Sequence, residues 1–196
     1  MMKSTAVSPH IAQRKALLRI VLTALFGALT AAGNFIAIPL PGSPVPIVLQ
    51  NMFALLSGLV LGPYLGGAAV GLYLLAGALG APVFAGASGG FVRFFGPTGG
   101  FLLGYPLIAI AAGAIAGRPK AEYKTPTWRL AFAIFAGMLI VYVPGIIRLK
   151  FALDDTWQGA MLKGCAPFIP GDAVKGVLAG LIAPRMRRVI ADHLDG

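Results

Sequence analysis

The chain has 196 residues, of which 58% are hydrophobic and 11% charged, with a formal net charge of +10 and a mean hydropathy of +0.84. A soluble domain carries about 25% charged residues, so this composition excludes a water-soluble fold and assigns the chain to the lipid bilayer. The basic residues bracket apolar runs, which reads as membrane topology and not as a nucleic-acid surface.

At about 20 residues per crossing, the length holds about six spans and no separate soluble domain. A tail over 1–16 comes first. Arg14, Lys15 and Arg19 precede an apolar run that Ala31-Ala32-Gly33 closes, the outline of a cleavable signal. The run is longer than a typical signal core and further spans follow, so it reads as span one, about 17–38. Pro39, Pro41, Pro44 and Pro46 then forbid a continuing helix. Span two covers about 48–61, "GPYLGG" (62–67) makes a tight turn, and span three reaches about 79. Both are short, so tilted or irregular ends are expected. A glycine-rich connection occupies 80–100, and span four covers about 101–116. A polar loop over 118–127 precedes span five, about 130–147, and a charged loop follows it. Span six starts near Pro170 or Gly171, ends near Arg185, and leaves a tail over 186–196. The expected fold is all-α: a single polytopic membrane domain, a six-transmembrane-helix bundle with its helices within 17–185.

The distribution of Lys and Arg orients the bundle. With six spans, one side carries Lys3, Arg14, Lys15, Arg19, Arg118, Lys120, Lys124, Arg129, Arg185, Arg187 and Arg188. The other carries Arg93, Arg148, Lys150 and Lys163. The first side is therefore expected in the cytoplasm, with both termini. The prolines, the glycine-rich connection and the start of span six share the outer side, where an incoming solute arrives.

Asp172 and Lys175 stand three residues apart in span six. Each costs roughly 2.5–3.5 kcal/mol at the centre of a spanning helix. They share a helix face, so they can pair, sit near the outer boundary and face a polar cavity together. Ionisable residues inside a membrane mark function by default; the alternative is a self-satisfied pair that only fixes helix rotation. Gln50 and Asn51 open span two on the same side, either as a helix cap or, for Gln50, as a polar contact to a solute. Phe84, Ser88 and Gly89 lie in "FAGASGG", whose glycines permit close backbone approach to a ligand. The same letters include a short serine-nucleophile motif, but the only histidines, His10 and His193, are in the tails. Arg93, among Phe91, Phe94 and Phe95, either snorkels to the interface or attracts an anion. Tyr73 either packs in span three or lines a pocket. Ala24, Ala28 and Ala32, spaced four apart, allow a close helix approach. Cys165, alone, forms no internal disulfide. The chain has no G-x-x-x-x-G-K-[ST] phosphate loop and no metal-ligand pattern, so energy for transport must come from a partner or an ion gradient.

The stretches "SPVPIVLQNMFALLSGLVLGPYLGG", "LYLLAGALGAPVFAGASGG", "GPTGGFLLGY" and "PFIPGDAVKGVLA" resemble, in order, the BioY family, the biotin-specific substrate-binding (S) components of energy-coupling-factor (ECF) transporters. The resemblance covers nearly the whole chain and is weakest in span five. It implies the ECF S-component fold. It implies that Pro170, Gly171, Asp172 and Lys175 form the family's Pro-Gly-Asp-x-x-Lys signature. Asp172 is then expected on a ureido N–H of biotin and Lys175 on the valerate carboxylate or ureido oxygen, or the reverse. Val45, Pro46 and Gln50 would line the same site, and the loop with Phe84, Ser88 and Gly89 would cover the ring. Some relatives carry asparagine where this chain has Ser88. Ala24, Ala28 and Ala32 would face the ECF transmembrane (T) component, driven by two ABC-type ATPase subunits. No cofactor is implied; biotin is the substrate. The expected location is the bacterial cytoplasmic membrane. The rival readings are an S component for another vitamin, a solitary biotin transporter without a dedicated module, an intramembrane serine hydrolase at Ser88, and a purely structural membrane subunit.

Overall fold

The computed structural model describes residues 9–120 and 125–195. Lys3 and Lys124, two of the basic residues counted above, lie outside the described residues, as does the whole first half of the N-terminal tail.

Helix α1 (Pro9–Ala32) buries Thr23, Phe26, Gly27 and Thr30 on one face and exposes Leu17, Ile20, Val21 and Leu25 on another. Apolar residues all round suit a helix with protein on one side and lipid on the other. The Thr23 and Thr30 hydroxyls donate to the carbonyls four residues back, at 2.7 and 2.8 Å, so neither polar group is stranded in hydrocarbon. The helix ends earlier than apolarity alone implies. Gly33–Phe35 form a 3-10 turn, and the chain then enters strand β1 (Ala37–Ile38). Strand β2 (Ile47–Val48) pairs with it antiparallel, Ala37 opposite Val48 and Ile38 opposite Ile47. The prolines between them thus form a small hairpin, which the Ser43 hydroxyl fastens by a 2.7 Å bond to the Lys163 carbonyl.

Helix α2 (Gln50–Ala78) doubles back on itself. Gly62, at φ 82° and ψ 178°, breaks the helical path, a backbone conformation open to glycine, and Pro63 starts the second arm as a proline at a first helical position does. A Cβ on Gly66 would lie 2.7 Å from the Gly58 Cα, whereas residues eight apart in a straight helix are about 12 Å apart. The expected turn over 62–67 is therefore compressed to one residue. The first arm, 50–61, is about 18 Å long, against a hydrocarbon core of about 30 Å. An arm that turns at one membrane surface therefore begins well below the other, which recesses Gln50 and Asn51.

A loop with a 3-10 turn (Phe91–Phe95) leads to α3 (Gly99–Ala116). Helices α4 (Thr127–Ile140) and α5 (Tyr142–Leu153) occupy the region read as span five. They break at Val141 because Pro144 lacks the N–H that would reach the Ile140 carbonyl and its ring clashes there. Arg148 and Lys150, expected in a loop, lie on α5 instead. Short α6 (Trp157–Gly164) and long α7 (Ile169–Asp195) meet at 48°. Helix α7 continues past Arg185, since leaving hydrocarbon ends a span but not a helix.

Four segments are long and apolar enough to cross a membrane, and the bent α6–α7 pair makes a fifth. With the two arms of α2 taken separately, the bundle has six membrane-embedded helical segments, as a polytopic membrane protein does. Helix α2 lies between α1 and α3, and α7 closes the bundle against α2 and α4.

Candidate substrate-binding site

Asp172 and Lys175 project from the first turns of α7 toward the start of α2. They are 8% and 5% exposed. Lys175 Nζ donates to Asp172 Oδ1 at 2.8 Å and to Asn51 Oδ1 at 3.0 Å. Asn51 Nδ2 donates to Asp172 Oδ1 at 2.9 Å, and the Tyr142 hydroxyl donates to Asp172 Oδ2 at 2.5 Å. Three helices thus converge on one carboxylate: α2 supplies Asn51, α5 supplies Tyr142 and α7 supplies Lys175. An ion pair in hydrocarbon survives only when extra hydrogen bonds satisfy its remaining capacity, and Asn51 and Tyr142 do that here. An ammonium has three donors, so Lys175 retains one beyond the two it uses.

Beside this cluster is a chamber of about 460 Å³. Gln50 of α2, Phe84 and Ser88 of the glycine-rich loop, Arg93 of the 3-10 turn, and Phe101 and Tyr105 of α3 line it, under the proline hairpin. A recess of about 30 Å³ lies between Asn51, Tyr142, Asp172 and Lys175. Val45, Pro46, Val48, Phe101 and Tyr105 wall both spaces. The larger concavity, about 1010 Å³, is an open groove between α4 and α7 that Tyr142 and Asp172 also line; the smaller chamber is the candidate site because Gln50, Ser88, Arg93 and Tyr105 bring polar groups into it beside the cluster.

The structure gathers most of the residues singled out from the sequence. Gln50 does not cap α2. Its amide NH2 donates to the Tyr73 hydroxyl and the Val83 carbonyl, both at 2.8 Å. Tyr73 therefore stands behind Gln50 and fixes its rotamer, outside the chamber wall. Phe84 meets Tyr73 edge-on at 5.6 Å and is itself pinned by the backbone bridge between Phe84 and Ser88. Gly89 lies at the neck of that loop, where a Cβ would press on the Ala81 carbonyl. Arg93 is exposed at the chamber rim. Ala24, Ala28 and Ala32 are exposed on the outer face of α1, away from the chamber.

The Ser88 hydroxyl donates to the Ala85 carbonyl at 2.8 Å within its own turn. His10 and His193 are exposed on α1 and α7, and neither lines the chamber that Ser88 borders.

Sequence reasoning missed Tyr142, Tyr105 and Phe101, and read Asn51 only as a cap. Tyr142 had one usable signal. A tyrosine in an apolar span needs a partner for its hydroxyl, and Asp172 was in want of one.

The BioY family model matches residues 3–192. A Pyrococcus horikoshii protein described as a probable biotin transporter BioY is 40% identical over 166 residues, 85% of this chain and 94% of that one. The biotin transporter BioY of Thermotoga maritima is 39% identical over 171 residues, 87% of this chain and 96% of its own. The crystal structure of the S-component for biotin from an ECF-type ABC transporter superposes with a TM-score of 0.82 at 28% identity, covering 93% of this chain and 95% of that chain. Sequence and fold agree: the chain belongs to the BioY family.

Proposed function

We propose that this chain is a multi-pass membrane protein that captures biotin for uptake, as the substrate-binding component of an ECF-type transporter. The observation that carries this reading is the Asp172–Lys175–Asn51–Tyr142 cluster beside a chamber of about 460 Å³. Biotin has a planar urea with two N–H donors and one oxygen acceptor, an apolar thioether ring and a carboxylate tail. Asp172 accepts a ureido N–H, and the unused donor of Lys175 meets the ureido oxygen or the carboxylate. Gln50, whose NH2 is already committed, offers its carbonyl oxygen. Phe84, Phe101 and Tyr105 supply apolar walls for the rings, and Arg93 sits at the rim where a carboxylate tail would emerge.

Delivery requires energy this chain does not make. The proposed partners are a T component, received on the Ala24–Ala28–Ala32 face, and two ABC-type ATPase subunits; the family match supports an ECF assembly. The basic side of the bundle, with both termini, faces the cytoplasm. Isothermal titration of the purified protein with biotin and close vitamin analogues tests the reading. Biotin binding with analogues excluded is expected; binding of a different vitamin in preference would replace it.

A further inference from the structure

We propose that the open groove between α4 and α7 is a binding site for an anionic phospholipid. One acyl chain lies along the groove and the phosphate sits at Lys120, Arg187 and Arg188. This inference does not depend on the identity of the solute.

The groove is apolar along its length, where Ile134, Phe135, Met138 and Val177 line it. Phe135 and Val177 are also exposed, so the groove opens sideways to lipid and not to a protein interior. Ile134 of α4 packs on Gly176 and Gly180 of α7, where a Cβ would stand 3.2 and 3.4 Å from it, so the helices touch at Ile134 and the groove runs along this contact. From Asp172 at one end to Arg187 at the other is about 22 Å of helix, longer than the roughly 15 Å of hydrocarbon in one leaflet.

The far end is positively charged, and among the described residues its cations outnumber the carboxylates beside them. Arg187 is 5% exposed. Its guanidinium donates to the carbonyls of Leu59, Ala116 and Gly117 and to the Thr125 hydroxyl, all neutral acceptors. No carboxylate among the described residues pairs with it. Arg129 adds a second cation on the same helix end, donating to the Ile115 carbonyl. The C-terminus of α3 supplies about half a negative charge, less than either arginine carries. Lys120 and Arg188 line the same end against one carboxylate among the described residues, Asp192. This excess of cations is complementary to a lipid phosphate, seated where the groove would hold its head group.

The test uses the full-length protein in mild detergent, equilibrated with equal phosphatidylglycerol and phosphatidylcholine, with retained lipid read by native mass spectrometry. Phosphatidylglycerol is expected to be retained in preference. Each basic residue near an anionic surface is worth about fivefold, so the double variant Lys120→Ala/Arg188→Ala should lower its retention roughly thirtyfold while phosphatidylcholine is unchanged. Ala131→Trp, on the exposed lining, should displace both lipids. Equal retention of the two lipids by the wild type, or an unchanged double variant, overturns the proposal. So does an Ala131→Trp variant that changes from dimer to monomer, which would give the groove to a second copy.

Discussion

Lys175 Nζ lies 2.8 Å from Asp172 Oδ1, one helical turn away on the same face of α7, with both side chains almost fully withdrawn from solvent. The pair is stabilised by its surroundings: Asn51 bridges both charges and Tyr142 takes the other carboxylate oxygen. Holding α7 to α2 and the proposed contact to biotin are separable by mutation. Removing one partner leaves a buried charge alone and should cost about 3–5 kcal/mol, seen as a lower melting temperature for Asp172→Leu or Lys175→Met. The double variant Asp172→Leu/Lys175→Met has no stranded charge, though Asn51 and Tyr142 lose their partners, and should recover part of that stability without recovering biotin binding. A double variant no more stable than the singles contradicts this.

Tyr142→Phe removes one hydrogen bond to a charged acceptor, worth about 1.5–3 kcal/mol, and leaves the ring in place. Asp172 then loses the contact that sets its orientation. Biotin affinity, read by calorimetry, should fall about tenfold or more, with the fold intact by thermal unfolding. An unchanged affinity would remove Tyr142 from the site.

The hairpin inside α2 rests on small residues at Gly58, Gly62 and Gly66. Gly66→Leu places carbon against the Gly58 backbone and the Ser57 carbonyl, and overpacking of this kind costs about 1–3 kcal/mol. Gly62→Ala imposes strain of similar size at a positive φ. Both variants should melt at lower temperature in detergent. Wild-type melting of both would mean that the arms are not held by this contact.

Ala28 is exposed on the outer face of α1, and a bulky residue there has room in lipid but not against a close-packed helix. Ala28→Trp should leave biotin affinity unchanged and abolish co-purification with a T component. Retained assembly would move the partner surface elsewhere.

The parts of this molecule written in composition were legible before its structure. Charge-poor runs marked the spans, and Asp172 and Lys175 announced themselves because hydrocarbon does not tolerate charge without cause. What depended on distance was not legible. The Pro144 break left Tyr142 looking like one more apolar-span residue, although it sits 30 positions from the carboxylate it bonds. Asn51 looked like a cap because helix starts favour asparagine, yet its partner is 121 residues away. The hairpin at Gly62 was read as a longer turn because a single glycine reversing a helix leaves no local pattern beyond the proline that follows. Residues 33–48 looked like the end of a span and a proline linker; their pairing as a hairpin over the chamber needs two apolar dipeptides to meet across eight residues.

The most direct measurement is isothermal titration of biotin into wild-type protein and into Lys175→Met. Loss of the charge-assisted contact, worth about 1.5–3 kcal/mol, should weaken binding roughly ten- to a hundredfold or more. Wild-type affinity in the variant would contradict the assignment of this side chain to the solute.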